Sequence, residues 1–273
     1  MNTSVVSSMA LPACLPEALS LDTIAARAPA VFADDAHQRV SSKYAFIPTQ
    51  RILQGFMDAG FVPVQAHQVT ARRGNRMHAP HLVRLRRRFE TVQLRDGVPE
   101  VVFLNSHDGS SAYQLRMGIF RFCCANGLIV SRGAFPSVCV THRGEVMDEV
   151  IAGALQVAER FGELACQVER MEHRGLSIHE QLEFADRAMA LRLGTTADAG
   201  MAPSRLLECR RREDAGDDLW SVFNRVQEAL LRGGGSRRSV SGRLVRMRAI
   251  TSVRRDLDLN GQLWDLAAQV LTA

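Results

Sequence analysis

Fifteen arginines in two segments without Asp or Glu are the side chains of this chain best suited to bind a polyanion. Seven of them lie between Ala59 and Phe89, and eight lie between Ala229 and Arg255. The whole chain has 34 basic and 29 acidic residues, so acidic residues outnumber basic ones outside these two segments. Such segregation of positive charge is typical of a surface for a polyanion, most often a nucleic acid.

The first basic segment contains a predicted strand, His81–Glu90, in which alternate side chains share a face. Side chains two positions apart on a strand are about 6.6 Å from each other, which suits the phosphates of an extended single strand. An open alternative is that these arginines form the solvated outer face of an antiparallel sheet. The predicted nucleic-acid-binding residues of this segment are Arg72, Arg73, Arg76, Arg84, Arg86 and Arg88.

The second basic segment, Arg232–Arg248, combines arginines with glycines and serines. This composition predicts a flexible loop that becomes ordered around phosphates, and a disordered linker between two helices is the alternative. The segment is not a P-loop, because the chain has no GxxxxGK[ST] sequence. Its predicted nucleic-acid-binding residues are Arg237, Arg238, Arg243, Arg246 and Arg248.

The sequence shows no catalytic or metal-binding constellation, so we expect neither an enzyme nor a cofactor or metal requirement. Asn105–Ser111 contains His, Asp and Ser, but neighbouring residues in a turn cannot face each other as a triad requires, and Asp108-Gly109 indicates a hairpin turn. The histidines His67, His78 and His81 match no metal-ligand spacing and are predicted to be polar members of the basic surface.

The hydrophobic periodicity predicts an α+β fold in which an antiparallel sheet in the N-terminal half is packed by helices from the C-terminal half. We expect an N-terminal arm over residues 1–40 and a single domain over 41–273, sheet-rich at 60–142 and helical at 144–273, with a flexible basic loop at 232–248. The predicted strands are Val62–Ala66, His81–Glu90, Val98–Asn105, Ala112–Cys124, Leu128–Ser131 and Val138–Thr141. The predicted helices are Thr49–Ala59, one of about 25 residues from Val146, then Ile178–Leu193, Leu219–Arg232 and Asn260–Leu271. Ser177 is the predicted N-cap of the third of these helices, and Asp217 or Asp218 that of the fourth.

No stretch of about 18 uninterrupted apolar residues suggests a membrane span, so we expect no membrane association. The first positive side chain is Arg27, which does not fit the basic start of a secretory signal. A cytoplasmic location is therefore the expectation.

Several segments, in order, resemble the phage/plasmid-like protein family called domain of unknown function 932. They are Arg27–Phe32, Tyr44–Thr49, Gly60–Gln68, His81–Arg86, Asn105–Gly133 and Leu219–Gly234. One departure is Pro80, where the family pattern has a Lys before the strand. The resemblance implies a mobile-element setting, and it carries no established catalytic residues.

These observations favour a non-enzymatic protein that binds nucleic acid, specifically single-stranded DNA, in recombination or replication of a mobile element. The alternative from another class is an interaction protein that binds an acidic host factor, of the anti-restriction or anti-defence type. A metal-dependent nuclease is a third hypothesis without a supporting carboxylate constellation. A homo-oligomer that associates through the helices carrying Trp220 and Trp264 is also left open.

Overall fold

The fold is α+β, as the periodicity predicts, with an antiparallel sheet from the N-terminal half and helices from the C-terminal half packed against it. The computed structural model of the chain describes residues 17–69, 76–122, 128–130, 135, 137–143, 146–194, 200–233, 235–239 and 241–272. The predicted binding residues Arg72 and Arg73 lie outside this range. No helix within these residues is long and apolar enough to cross a membrane.

The main sheet has six strands, and all six were predicted from alternating hydrophobicity and turn signals. They are β1 (Phe61–Gln68), β2 (His81–Arg87), β3 (Gly97–Asn105), β4 (Tyr113–Arg121), β5 (Leu128–Val130) and β6 (Val138–Val140). The order is β1-β2-β3-β4-β5, and β6 pairs with β4 beyond the end of β5. The sheet therefore has two long central strands, β3 and β4, and every pairing is antiparallel.

Helices cover the apolar face of the sheet. Helix α1 is Leu21–Arg27, α2 is Thr49–Asp58, α3 is Met147–Glu159, α4 is Phe161–His173, α5 is Ile178–Leu193, α6 is Leu219–Arg232 and α7 is Val253–Thr272. Helix α3 approaches the sheet so closely at Gly153 that an added Cβ would lie 2.7 Å from Leu115 and 2.9 Å from Val138. A larger side chain at this position would push the helix off the sheet.

The helix starts follow the predicted caps, whereas two helix extents differ from prediction. Ser177 caps α5 with a reciprocal Glu180 capping box, and Asp218 caps α6. The predicted long helix is two helices that meet at Arg160. The last helix begins at Val253 rather than Asn260, because its charged first turns hide the apolar positions on which the prediction relied.

The described part of the predicted arm, residues 17–40, is packed onto the domain rather than extended from it. Ile24, Ala28 and Val31 are fully buried in the main core. The backbone N–H of Leu19 donates to Pro63 of β1. This segment therefore packs against the sheet and contributes to the main core.

Both tryptophans lie inside the core, so their rings are not exposed on the helices through which the sequence suggested a homo-oligomer. Trp220 of α6 and Trp264 of α7 are at most 1 % exposed, and both pack around Phe223.

Helix α7 also reaches the second face of the sheet. Its first half carries Leu257 into a small apolar cluster with Leu82, Val102, Leu104 and Ile129. The same helix thus connects the main core, through Leu263 and Trp264, with the face that holds the strand arginines.

Candidate nucleic-acid interface

A cleft of about 740 Å³ lies where the end of α5, the second basic segment and the first half of α7 meet. Five arginines share its wall: Arg192, Arg237, Arg246, Arg248 and Arg255. Three of them, Arg237, Arg246 and Arg248, are predicted nucleic-acid-binding residues. The structure thus brings these three together with two arginines from the flanking helices.

A β-hairpin stands where the sequence predicted a flexible loop. Strand β7 (Ser236–Arg238) pairs with β8 (Leu244–Arg246), and Arg237 lies opposite Val245. The turn is closed by hydrogen bonds from the backbone N–H of Ser239 to the carbonyl of Arg243 and from Gly242 to Ser239. These strands were not predicted, because short strands rich in Gly, Ser and Arg show no apolar alternation.

Gly233 fixes the hairpin against the end of α6. Its φ of +71° ends the helix, and an added Cβ would lie 2.3 Å from the carbonyl oxygen of Met247. Only glycine permits both this conformation and this approach. The backbone N–H of Met247 then donates to Gly235, and that of Ile250 donates to Leu231. These contacts carry the chain across the cleft into α7.

The cleft arginines have no anionic partner among the described residues. None of the five lies within 4.0 Å of a carboxylate there, and Asp258 is the one acidic side chain in the cleft wall. Positive charge therefore concentrates in a concave surface, where a low-dielectric wall strengthens its field.

Arg192 is the most enclosed of these arginines. One terminal nitrogen, Nη2, donates to the backbone carbonyl of Arg248, whereas Nη1 is buried and has no hydrogen-bond partner among the described residues. Burial lowers the pKa of this guanidinium below its ordinary value. An unsatisfied buried donor with a positive charge is unfavourable, and a bound anion would remove that cost.

Apolar side chains lie between the arginines. Leu191, Leu193, Val245, Met247 and Leu259 line the cleft, and Leu191 and Val245 are 41 % and 37 % exposed. The cleft can therefore contact both phosphates and the flat apolar surface of a ligand.

The strand arginines Arg84 and Arg86 are buried, which contradicts the expectation that they face solvent. They are only 3 % and 9 % exposed, and both pair with Glu100 of β3. Arg84 Nε donates to Glu100 Oε2 at 2.6 Å, and Arg86 Nη2 donates to Oε1 at 2.7 Å. The neutralising acid belongs to the adjacent strand, so the absence of acids within the basic segment did not reveal it.

Arg84 and Arg86 make further contacts around the shared Glu100. Arg84 Nη2 also donates to the carbonyls of Ile119 and Leu128, and Arg86 lies 5.5 Å above the ring of Phe120. Asp256 of α7 lies near Arg84, and burial raises the pKa of Asp256 to about 6 although the arginine opposes this.

Arg84 and the cleft arginines lie on different sides of α7. Arg255 lines the cleft, whereas the next residue, Asp256, is near Arg84 on the second face of the sheet. Three further predicted residues lie outside the cleft and are exposed. Arg76 precedes β2, Arg88 follows it, and Arg243 lies in the hairpin turn. Arg238 lies in β7.

A polar cluster at one end of the sheet corrects the prediction for the histidines. His67 is exposed, whereas His78 and His81 are buried rather than part of a basic surface. Thr49 Oγ1 lies 2.9 Å from His81 Nε2 and 3.1 Å from His107 Nε2, and it accepts a hydrogen bond from Asn105.

Burial sets the charge of this cluster. It lowers the pKa of His81 to about 4 and that of His107 to about 3, and it also lowers the pKa of the nearby His142, whose ring stacks on Tyr44, to about 4. His81 Nδ1 lies 3.0 Å from the carbonyl of Ala79, so it carries the proton and Nε2 accepts from Thr49. These neutral side chains join the N-terminal segment to the sheet, and no group of side chains in the described ranges could hold a metal ion.

The segment Asn105–Ser111 forms the predicted turn. Asp108 Oδ1 accepts from the backbone N–H of Ser110, and Gly109 has a φ of +75°. Ser106 and His107 are fully buried beside it. Its histidine contacts Thr49 rather than a serine, so the described residues of this turn form no Ser-His-Asp triad.

Comparison with known proteins shows the family. The model of the domain of unknown function DUF932 matches residues 36–263. This chain belongs to the DUF932 family. It is also similar to two proteins of Escherichia coli (strain K12), the UPF0380 protein YafZ at 37 % identity and the UPF0380 protein YfjQ at 36 %. Each match spans 245 residues, 89 % of this chain and 88 % of the relative. No solved structure matches the chain.

The DUF932 match includes the polar cluster, the buried Arg84–Glu100–Arg86 group and the whole hairpin. Sequence reasoning missed two cleft arginines within that range. Arg255 was not among the predicted nucleic-acid-binding residues because the predicted loop ended at Arg248. Arg192 comes from α5, and nothing in its local sequence connects it with a segment more than 40 positions later.

Proposed function

We propose that this DUF932 protein binds single-stranded DNA in its arginine cleft and acts, without catalysing a reaction, in recombination or replication of a mobile element. The observation that carries the proposal is the set of five cleft arginines without a carboxylate partner among the described residues. The proposal narrows the binding residues to Arg192, Arg237, Arg246, Arg248 and Arg255. It also implies a cytoplasmic protein, since the DNA of a mobile element is accessible there.

Phosphate is the ligand group that best matches the charge and the hydrogen-bond donors of the cleft arginines. Guanidinium groups form forked hydrogen bonds to phosphate oxygens, and the buried Nη1 of Arg192 has a donor to offer at the innermost position. Arg237 and Arg246 on the hairpin would hold the neighbouring phosphates. The apolar side chains beside them, Leu191 and Val245, would contact unstacked bases.

The size of the cleft favours a single strand over a duplex. Its volume of about 740 Å³ is in the range of pockets that enclose small organic ligands. Roughly, it can enclose one or two unpaired bases while the backbone on either side runs along the arginines, but it cannot enclose paired bases with their second backbone. A duplex would touch only the rim, where charge contacts are screened by salt.

A salt titration with two forms of DNA tests the proposal. Fluorescence anisotropy would measure the affinity of the protein for a 20-nucleotide single strand and for its duplex at several salt concentrations. Five phosphate contacts predict a slope of log K against log salt of about −3.5 for the single strand, because each neutralised phosphate releases counterions. Affinity that does not change with salt, or equal affinity for both DNA forms, would contradict the proposal.

The same cleft could bind an acidic protein, and a pull-down separates the two functions. Protein recovered from nuclease-treated lysate should lose its bound material if that material is nucleic acid. Retention of an acidic protein together with no measurable oligonucleotide binding would replace the DNA proposal with the host-factor alternative. A homo-oligomer, measured by light scattering, would need a surface that does not involve the buried tryptophans.

A further inference from the structure

One face of α7 brings an acid into the arginine cleft. Arg255, Asp258, Leu259 and Gln262 all line it, and their separations of three, four and seven positions place them on the same side of a helix. Asp258 is exposed, and among the described residues it is the one acidic member of the cleft wall. This placement matters because a carboxylate should repel the phosphates that the arginines attract.

Asp258 and Gln262 have no side-chain partner among the residues that the structure describes. Asp258 has no ion pair with the five arginines that share its cleft, and no hydrogen bond joins its side chain to another described residue. Gln262 likewise makes no side-chain hydrogen bond to a described residue. Neutralising the cleft arginines is therefore not the role of Asp258, and its acceptor atoms are available to a ligand.

We infer that Asp258 and Gln262 read the edge of an unpaired base that carries an exocyclic amino group, so that the cleft binds cytosine more tightly than thymine. This inference rests on the proposed binding of single-stranded DNA. The Asp258 carboxylate accepts from the amino group, as acidic side chains do with cytosine N4. The Gln262 amide donates to a ring acceptor next to it, and Leu259 between them supports the base. Thymine presents a carbonyl oxygen in place of the amino group, and that oxygen repels the carboxylate.

Two homopolymers and one substitution test this assignment. Wild-type protein should bind a dC 15-mer at least about fivefold more tightly than a dT 15-mer at pH 8, the lower end of what one base contact discriminates. Asp258→Ala removes the acceptor, so the dC-to-dT affinity ratio should fall toward one. Asp258→Asn should reduce the ratio partly, because its amide oxygen still accepts while its NH₂ also donates to thymine.

A phosphate-binding arginine supplies the matched control. Arg255→Ala, on the same face of α7, should weaken binding of both homopolymers by the same factor and leave the ratio unchanged. Thermal unfolding of each variant would confirm that the exposed substitutions leave the fold intact.

The outcomes separate the inference from the function on which it rests. If neither homopolymer binds, the proposed function itself is wrong. If both bind with equal affinity to wild type, or if the ratio persists in Asp258→Ala, the base-reading role is wrong while DNA binding stands. If Asp258→Ala strengthens binding of both homopolymers equally, the carboxylate acts only by repelling phosphate, and the inference is overturned.

Discussion

The arginines of β2 and the arginines of the cleft come from equally basic segments, yet the protein uses them in opposite ways. Arg84 and Arg86 are buried and share Glu100, which makes them part of the structure of the sheet. Arg237, Arg246 and Arg248 line an open cleft and have no carboxylate within 4.0 Å among the described residues. The number of arginines in a segment therefore does not show whether they are available to a ligand. The position of the nearest acid in the folded protein does.

The largest expected effect comes from removing the shared acid of the sheet. Glu100→Ala leaves two guanidinium groups buried without a partner, and breaking such a pair costs about 3–5 kcal/mol of unfolding free energy. Urea denaturation followed by circular dichroism would measure it. The matched control is Glu163→Ala, which removes an exposed ion pair with Arg160 and should leave the urea midpoint nearly unchanged. Equal midpoints for wild type and Glu100→Ala would mean that Glu100 does not stabilise the buried Arg84 and Arg86.

A second prediction concerns the neutral buried polar cluster, which differs from both arginine groups. The pKa values of His81 and His142, about 4, and of His107, about 3, lie below the ordinary value for histidine, so the unfolded chain binds more protons between pH 7 and pH 4. Stability should therefore fall as the pH is lowered. Asp256, with its pKa raised to about 6, opposes this in part.

We expect a net loss of about 2–4 kcal/mol in unfolding free energy between pH 7.5 and pH 5, measured by urea denaturation at each pH. His107→Asn should reduce this dependence on pH, whereas a substitution of the exposed His179 by Ala should leave it unchanged. Constant unfolding free energy across this interval would show that the histidines are not kept neutral by burial.

The third prediction concerns the innermost cleft arginine. Arg192→Ala should weaken single-stranded DNA binding by about tenfold or more, because it removes a charged hydrogen bond to phosphate. Anisotropy at fixed salt would measure the change. Arg39→Ala removes the same charge from an exposed site, where no described carboxylate pairs with it, and should change the affinity by less than about twofold. Similar losses for both variants would indicate a diffuse charge effect rather than a site.

Much of the fold could be predicted from the sequence because its signals are local. Alternating apolar residues located all six strands, Ser177 marked the start of α5, and Asp217 or Asp218 was expected to cap α6, where Asp218 does so. The pairing of Glu100 with the strand arginines and the place of Arg192 in the cleft could not be predicted, since each depends on which elements become neighbours. Three of the five cleft arginines were found through the absence of acids in their segment, but the same signal misplaced Arg84 and Arg86.

The measurement that tests the central claim most directly compares two double variants with the same change in charge. Arg237→Ala/Arg246→Ala removes two cleft arginines, and Arg76→Ala/Arg88→Ala removes two exposed arginines of the first basic segment. Salt-titrated binding of a single-stranded 20-mer should give a slope shallower by about 1.4 for the cleft variant, together with weaker binding. The other variant should keep a slope close to that of wild type. Equal changes in both variants, or a larger change when Arg76 and Arg88 are removed, would contradict the assignment of DNA binding to the cleft.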